Sequence, residues 1–220
     1  LLDRPRLHAA LRAAALAAGA TVIPARAGTV REHGDRAEVI AAGRTLAARV
    51  LLDARGRAAT GAPTGPVPDL VALPFHGRGT ATERPRLRLD ALEGGWSWAC
   101  RGPGGLTAGA LFLPAAALAG ADAAARRALL AAALDLERAA AGRPAAAEMR
   151  AAADALAGPQ TLMIGDRALA RDPIASHGLV HALRSGAQAA AVAHALVDPA
   201  GAHDAARAFL RDRHAEAARV

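Results

Sequence analysis

The 220-residue sequence contains no lysine and no tyrosine, one cysteine, and only three phenylalanines and two tryptophans. Cys100 cannot form an internal disulfide, so the sequence does not indicate an oxidising compartment, and we expect a cytoplasmic protein. The net charge of +7 is carried by arginines that alternate with acidic residues, and few aromatic side chains are available to stack on bases. A nucleic-acid partner is therefore not expected.

Long apolar runs are also missing. The longest candidate, residues 106–119, is interrupted by Gly109 and Pro114, whereas a membrane-spanning helix needs about 20 consecutive apolar residues. We therefore expect no membrane span, and the charged, amphipathic first residues do not resemble a signal peptide. Apolar residues nevertheless make up 53% of the chain, most of them alanine, which is enough for a folded core.

The spacing of apolar residues predicts a mixed α/β (α+β) fold. Residues 58–69 are rich in proline and glycine and look like a connection between two lobes. Alternating runs between turn residues predict strands at 21–23, 28–32, 37–41, 46–52, 70–80, 87–92, 96–101, 106–113 and 161–164. Helical spacing predicts helices at 4–18, 122–141, 145–156, 176–197 and 203–219. The helices at 122–141 and 145–156 are rich in alanine.

The most informative segment follows the predicted strand at 161–164 and reads GDRALARDPIASHGLVHALRSG. An acidic side chain on the Gly165-Asp166 turn can accept hydrogen bonds from ribose or ribityl hydroxyls. Free N–H groups at the start of the following helix favour an electron-rich acceptor, and Gly178 lets the backbone approach a flat ring closely. These features suit a flavin, because a reduced isoalloxazine carries negative charge that a helix N-terminus can stabilise.

The segment resembles the second FAD-binding motif of flavoprotein monooxygenases of the p-hydroxybenzoate hydroxylase type. Its DPxxSxG-like core is shared with flavin-dependent halogenases, geranylgeranyl-reductase-like enzymes and flavoproteins that modify protein tryptophans. Three more segments resemble the family in the same order. LDRPRLHAAL resembles the helix after the first lobe, residues 50–57 the middle motif, and EGGWSWACRGPGG the substrate-domain strand written GWxW. The family's GxGxxG turn is not found, so by this resemblance the chain looks like the C-terminal part of a larger flavoprotein.

The resemblance implies FAD as the cofactor and suggests which residues contact it. The Gly165-Asp166 turn would bind the ribityl and pyrophosphate region, and Arg4 would reach the cofactor from another side. Trp96 and Trp98 would contact the substrate. The residues expected along the pyrimidine edge of the flavin are Pro173, Ser176, His177, Gly178 and Leu179. No residue is assigned as a catalytic acid or base.

The resemblance also implies a division into domains. An incomplete Rossmann-like FAD-binding domain with a β-meander would comprise residues 1–57 and 158–220. A substrate-binding β-sheet with Ala-rich helices would occupy residues 58–157.

The implied activity is that of an FAD-dependent monooxygenase that hydroxylates an organic substrate through a flavin hydroperoxide. The substrate would be a small molecule or a peptide. Arg55 stands where the middle motif normally has the aspartate of an Asp-Gly pair, so a separate flavin reductase is expected as the electron donor. The alternatives are a halogenase, a geranylgeranyl-reductase-like enzyme, or an inactive fragment of such a flavoprotein. The halogenase motif continues with Ile-Pro, where this chain has Cys100-Arg101.

Simpler interpretations of the same residues stay open. Asp166 could cap a strand end, and Trp96 and Trp98 could belong to the core. His177 and His181 are four residues apart and could share a metal ion, but the sequence offers no obvious third ligand, so no metal is predicted.

Overall fold

The computed structural model describes residues 3–56, 70–78, 84–134, 138–142, 145–146, 150–152, 154–171, 174 and 176–219. The chain forms two compact units. The first comprises Leu1–Leu51 and Ala157–Leu162, and the second Leu52–Leu156 and Met163–Val220. Helices and several sheets occur together, which confirms the predicted mixed α/β class. The predicted domain limits at 57/58 and 157/158 stay a prediction.

The strands are β1 (Ala27–His33), β2 (Arg36–Ala41), β3 (Arg44–Ala48), β4 (Leu51–Asp53), β5 (Leu70–Arg78), β6 (Arg86–Leu92), β7 (Gly95–Arg101), β8 (Leu106–Pro114), β9 (Arg138–Ala141), β10 (Ala145–Ala146), β11 (Arg150–Ala151), β12 (Leu156–Gly158), β13 (Thr161–Met163) and β14 (Leu169–Ala170). The α-helices are α1 (Arg4–Ala17), α2 (Ala115–Leu118), α3 (Ala123–Leu134), α4 (Gly178–Val197) and α5 (His203–Ala218). Short 3₁₀ turns occupy Pro103–Gly105 and Gly165–Arg167. In the described ranges no helix is both long and apolar enough to cross a membrane.

The first unit contains α1 and an antiparallel meander. The α1 helix begins where the Asp3 side chain accepts a hydrogen bond from the backbone N–H of Arg6 at 3.1 Å, an N-cap arrangement. The meander has the order β1-β2-β3, which confirms the predicted β-meander. The single strand predicted at 46–52 is wrong, because this segment is divided into β3 and β4, and β4 pairs with β13 in another sheet. The strand predicted at 21–23 is wrong, because this apolar run pairs with no strand of the described residues and both Val22 and Ile23 are exposed.

The second unit is organised around an antiparallel sheet of order β10-β5-β8-β7-β6, with β9 also paired to β5. One face of this sheet packs on α2 and α3. Its core residues are Leu73 and Phe75 of β5, Leu111 of β8, Leu118 of α2 and Leu130 of α3. Tryptophans and a phenylalanine lie on the opposite face, because side chains alternate along each strand.

The Ala-rich region after residue 122 differs from its prediction. Helix α3 comprises Ala123–Leu134, whereas Arg138–Ala141 of the predicted helix form a strand, and the described parts of the helix predicted at 145–156 contain strands instead of a helix. Parts of these segments are the short strands β9 and β10, which pair with β5, and β11, which pairs with β14. Alanine favours helices, but here the backbone groups along one side of β5 form their hydrogen bonds with β9 and β10.

The strand that precedes the Gly165–Arg167 turn is β13, as predicted, in a sheet of order β12-β13-β4. The N–H of Leu51 donates to the carbonyl of Gln160 at 2.8 Å, and the N–H of Ile164 donates to that of Asp53 at 3.1 Å. The partners advance in the same direction along both strands, which is parallel pairing. The carboxyl ends of β4 and β13 therefore meet at one edge, where ligands bind in open α/β sheets.

Candidate functional site

The Gly165–Arg167 turn follows β13 and is held by α4. The backbone N–H of Gly165 donates a hydrogen bond to Oγ of the buried Ser185 at 2.9 Å. The φ angle of Gly165 is +56°, a left-handed conformation that glycine adopts without a steric penalty. The Ser185 hydroxyl also donates to the carbonyl of Ala182 at 3.2 Å. The half-buried Asp166 therefore lies in a turn that continues directly from β13 and is hydrogen-bonded to α4.

The N-terminus of α4 has no side-chain cap. His177 precedes the helix without a capping hydrogen bond, and Ser176 has a φ angle of +53°, which is uncommon for a residue other than glycine. The first backbone N–H groups of an α-helix lack an intrahelical acceptor. Among the described residues, none has an atom within 4 Å of a Cβ atom added at Gly178. The start of α4 thus offers backbone donors in open space.

A buried ion-pair cluster lies beside this turn and consists of Asp53, Arg55 and Arg167. The Asp53 carboxylate accepts hydrogen bonds from the backbone N–H of Arg55 at 3.2 Å and from its Nε and Nη2, both at 2.8 Å. Nε of Arg167 donates to the same carboxylate at 2.9 Å. The side chains of Asp53 and Arg167 are only 2% and 6% exposed.

This cluster determines the charge state of Asp53. Burial alone would raise the pKa of its carboxyl group, but the hydrogen bonds from Arg55 and Arg167 outweigh burial and hold the pKa far below its ordinary value. The hydrogen bond to Asp53 in turn raises the pKa of Arg55. The ionised cluster therefore ties the turn after β4 to the turn after β13.

Trp96 and Trp98 lie on the same face of β7. Trp96 stacks on Phe112 of β8, with ring centroids 3.8 Å apart and ring planes inclined by 5°. Trp98 packs on the same cluster. Leu89 of β6 pairs with Trp98 in register and is 58% exposed. We call Trp96, Trp98, Phe112 and Leu89 the aromatic face; it offers flat apolar surface to a ligand.

The structure places the predicted cofactor-binding residues in two groups. Gly165 and Asp166 lie in the turn that contacts α4, and Gly178 and Leu179 begin that helix. Ser176 and His177 come directly before it and are exposed, whereas Pro173 lies outside the described residues. Arg4 is the first residue of α1 in the first unit and is exposed. The roles of all these residues, and of Trp96 and Trp98, stay predictions.

Sequence reasoning missed Ser185 and the pairing of Asp53 with Arg167. Ser185 follows His181 by four residues in the sequence, but no local sequence feature indicates that its hydroxyl accepts a hydrogen bond from Gly165. Asp53 and Arg167 are 114 residues apart. Both residues belong to segments that carry the family resemblance, and this shared membership was the only sequence feature that could have linked them. Among the residues that the structure describes, no three His, Cys, Asp or Glu side chains are arranged to hold a metal ion.

Comparisons with known proteins give structural matches only. No protein-family model and no curated protein sequence matches the chain. The peptidyl tryptophan dihydroxylase QhpG, essential for tryptophylquinone cofactor biogenesis, is similar over 98% of this chain and 52% of its own, with 28% identity and a TM-score of 0.70. The flavin-dependent halogenase CmlS is similar over 99% of this chain and 44% of its own, with 19% identity and a TM-score of 0.81.

A third similar structure is the flavin-dependent brominase Bmp2. It is 18% identical, with a TM-score of 0.76, over 97% of this chain and 60% of its own. The chain thus spans about half the length of the solved structures it matches. These structures and the present chain share helix and strand arrangement over nearly all of the 220 residues. The chain therefore shares the fold of the corresponding part of flavin-dependent halogenases.

Proposed function

We propose that the chain is part of an FAD-dependent oxidoreductase, specifically a monooxygenase that hydroxylates an organic substrate. The single observation that carries the proposal is the Gly165-Asp166 turn, which is hydrogen-bonded to Ser185 of α4, a helix with an uncapped N-terminus, in a fold shared with flavin-dependent enzymes. A bound flavin would supply the redox chemistry, taking electrons from a reductant and passing them to molecular oxygen.

The residues present fit a flavin at this edge of the sheet. The Asp166 carboxylate is an acceptor for ribityl hydroxyls, and the backbone N–H groups from Gly178 onward are donors for the electron-rich pyrimidine edge. The open space at Gly178 leaves room for a flat ring. The strained backbone at Ser176 supports the same proposal, because such conformations concentrate at ligand sites.

The aromatic face supports an aromatic or otherwise flat substrate. Trp96 is already stacked on Phe112, so its ring is held rigidly, and Trp98 beside it is half-buried. Rigid aromatic surfaces bind flat apolar groups with little loss of side-chain entropy. The protein's own contribution to the reaction would be to orient the substrate and exclude water. Because the similar dihydroxylase acts on peptidyl tryptophan, we include an aromatic side chain of a peptide among the substrates proposed.

Halogenation is the second candidate, favoured by the similarity to CmlS and Bmp2. The strand after the tryptophans favours hydroxylation, since Cys100-Arg101 stands where halogenases are expected to have Ile-Pro. A separate flavin reductase would serve either reaction as the electron donor.

Flavin binding is tested by titrating FAD with the unaltered chain and with two variants, while following FAD fluorescence. Asp166→Asn removes the proposed ribityl contact, and Asp198→Asn, at the opposite end of α4, is the matched control. The proposal predicts saturable quenching that is weakened about tenfold in Asp166→Asn, the equivalent of one charged hydrogen bond, and unchanged in the control. Equal affinity in both variants, or no binding by the unaltered chain, contradicts it.

The reaction type is tested by mass spectrometry of a tryptophan-containing peptide. The peptide is incubated with the chain, FAD, a flavin reductase, NADPH and oxygen, with and without bromide. Hydroxylation predicts products with added oxygen whether or not bromide is present. A brominated product that requires bromide would favour the second candidate and would refute hydroxylation as the main activity.

A further inference from the structure

A cavity of about 390 Å³ lies in the second unit between the first half of α4 and the last half of α5. Among the residues predicted to bind flavin, only His177 lines it; Gly165, Asp166, Gly178 and Leu179 do not. The volume is in the range of sites for small organic ligands, about 300–1,000 Å³. We propose that this cavity is a second ligand site, distinct from the flavin site, which takes a small organic anion bearing a carboxylate or phosphate group.

The charges around the cavity favour an anion. Three arginines line it, Arg171, Arg184 and Arg213, against one carboxylate, that of Glu216. That carboxylate is already engaged, because Nη1 of Arg213 lies 2.7 Å from its Oε2. The lining therefore has an excess of two positive charges before its histidines are counted. An excess of one sign in a concave site attracts ligands of the opposite sign.

Hydrogen-bonding groups in the cavity are left unused within the described structure. Nη2 of Arg171 donates to the carbonyl of Ala217 at 2.6 Å, but its Nε is buried without a partner. Nε2 of His181 is likewise buried without a hydrogen bond. The exposed Arg184 has no ion-pair partner in the part of the chain that the structure describes. Buried donors without acceptors are costly, and an anion would satisfy them.

His181 would contribute to the site mainly as a hydrogen-bonding group and not as a positive charge. Burial lowers the pKa of its imidazole, and Arg171 and His214 lower it further, while the charge of Asp166 and a backbone hydrogen bond at Gly165 act in the opposite direction. A neutral imidazole beside the arginines can donate to one oxygen of a carboxylate or phosphate. The guanidinium groups supply the charge-assisted hydrogen bonds, which are the stronger ones.

The remaining wall of the cavity is apolar and indicates an organic body on the ligand. Ala155, Met163, Ala168, Val180 and Leu210 contribute to the lining. An inorganic ion would leave this surface unused, because a site of this volume is larger than one phosphate. The combination of cationic and apolar walls fits an amphipathic small molecule with an anionic head.

The test is isothermal titration of the full chain with three probes of one shape: phenyl phosphate, benzoate and neutral benzyl alcohol. The proposal predicts that at least one anion binds and that the alcohol binds at least tenfold more weakly. Tighter binding of phenyl phosphate identifies a phosphate site, and tighter binding of benzoate a carboxylate site. Equal binding of the alcohol, or no binding of either anion, overturns the proposal.

Variants of Arg184 locate the site, because this exposed side chain can be changed without disturbing the core. Arg184→Gln should weaken anion binding about tenfold, the loss of one charged hydrogen bond. Arg184→Lys should retain most of the affinity. The matched control, Arg12→Gln on the exposed surface of α1, should leave affinity unchanged. Full affinity in Arg184→Gln would overturn the assignment to this cavity, whether or not the chain binds flavin.

Discussion

The buried carboxylate of Asp53 should contribute far more to stability than a carboxylate with similar hydrogen bonds at the surface. Asp154 supplies the comparison: it accepts a hydrogen bond from Nε of Arg211 at 2.8 Å and one from the backbone N–H of Leu156 at 3.0 Å, but its side chain is 36% exposed. Asp53 accepts the equivalent bonds from Arg55 and Arg167 while 2% exposed.

The variant Asp53→Asn leaves the guanidinium of Arg167, itself 6% exposed, without a counter-charge. Removing one partner of a buried ion pair costs about 3–5 kcal/mol, whereas exposed pairs contribute about 0–1 kcal/mol. We expect Asp53→Asn to lower the free energy of unfolding by about 3–5 kcal/mol and Asp154→Asn by no more than about 1 kcal/mol. The assay is urea unfolding followed by circular dichroism, since urea, unlike guanidinium, does not screen charges.

The double variant Asp53→Asn with Arg167→Met serves as the internal control. Removing both charges should recover part of the loss, because the most deeply buried cation of the cluster, Arg167, is then removed together with its partner. If Asp53→Asn and Asp154→Asn lower the free energy of unfolding equally, or if the double variant is as unstable as the sum of its single variants, the ion-pair account of this cluster is refuted.

Three further predictions concern pH, packing and substrate binding. Folding lowers the pKa of Asp53, so the ionised carboxylate stabilises the fold above its ordinary pKa of 3.8, and this stabilisation is lost as the pH falls through the lowered pKa. The difference in free energy of unfolding between the unaltered chain and Asp53→Asn, measured by urea unfolding, should therefore decrease below pH 3.8. A difference that stays constant with pH would contradict this. Gly109→Ala would bring a Cβ atom into collision with the carbonyl oxygen of Trp98 and should lower the free energy of unfolding by about 2 kcal/mol or more in the same assay. The control Gly186→Ala, in α4 with open space around it, should leave the free energy of unfolding unchanged or raise it, and equal effects of the two variants would argue against this packing. Trp98→Ala should lower kcat/KM for the peptide substrate about tenfold without weakening FAD binding, and an unchanged kcat/KM would remove Trp98 from the proposed substrate surface.

The sequence predicted those helices and strands whose local residue pattern favours the same secondary structure as their tertiary contacts do. The helix at α1, the strand pair β6 and β7, and helices α4 and α5 follow strong periodicity with clear turn residues at their ends. Trp96 and Trp98 are two residues apart in a strand, a spacing that places both side chains on one face, and the structure shows them there.

Prediction failed where tertiary pairing decided the outcome. Residues 145–156 are mostly alanine and fit a helix locally, yet part of this segment extends the sheet beside β5 and part pairs with β14. No local property of alanine distinguishes these outcomes. The ion pair of Asp53 with Arg167 and the hydrogen bond from Gly165 to Ser185 likewise depend on strands and a helix that meet only in the folded chain.

The account depends most on a flavin bound at the edge where β13 meets α4. The most direct test is the ¹H–¹⁵N spectrum of the labelled chain recorded with and without FAD. We predict that the largest shifts fall on the amides of Gly165, Asp166, Gly178 and Leu179, with the Asp198 end of α4 unaffected. Shifts confined to other residues, or no shifts at saturating FAD, would contradict the flavin assignment.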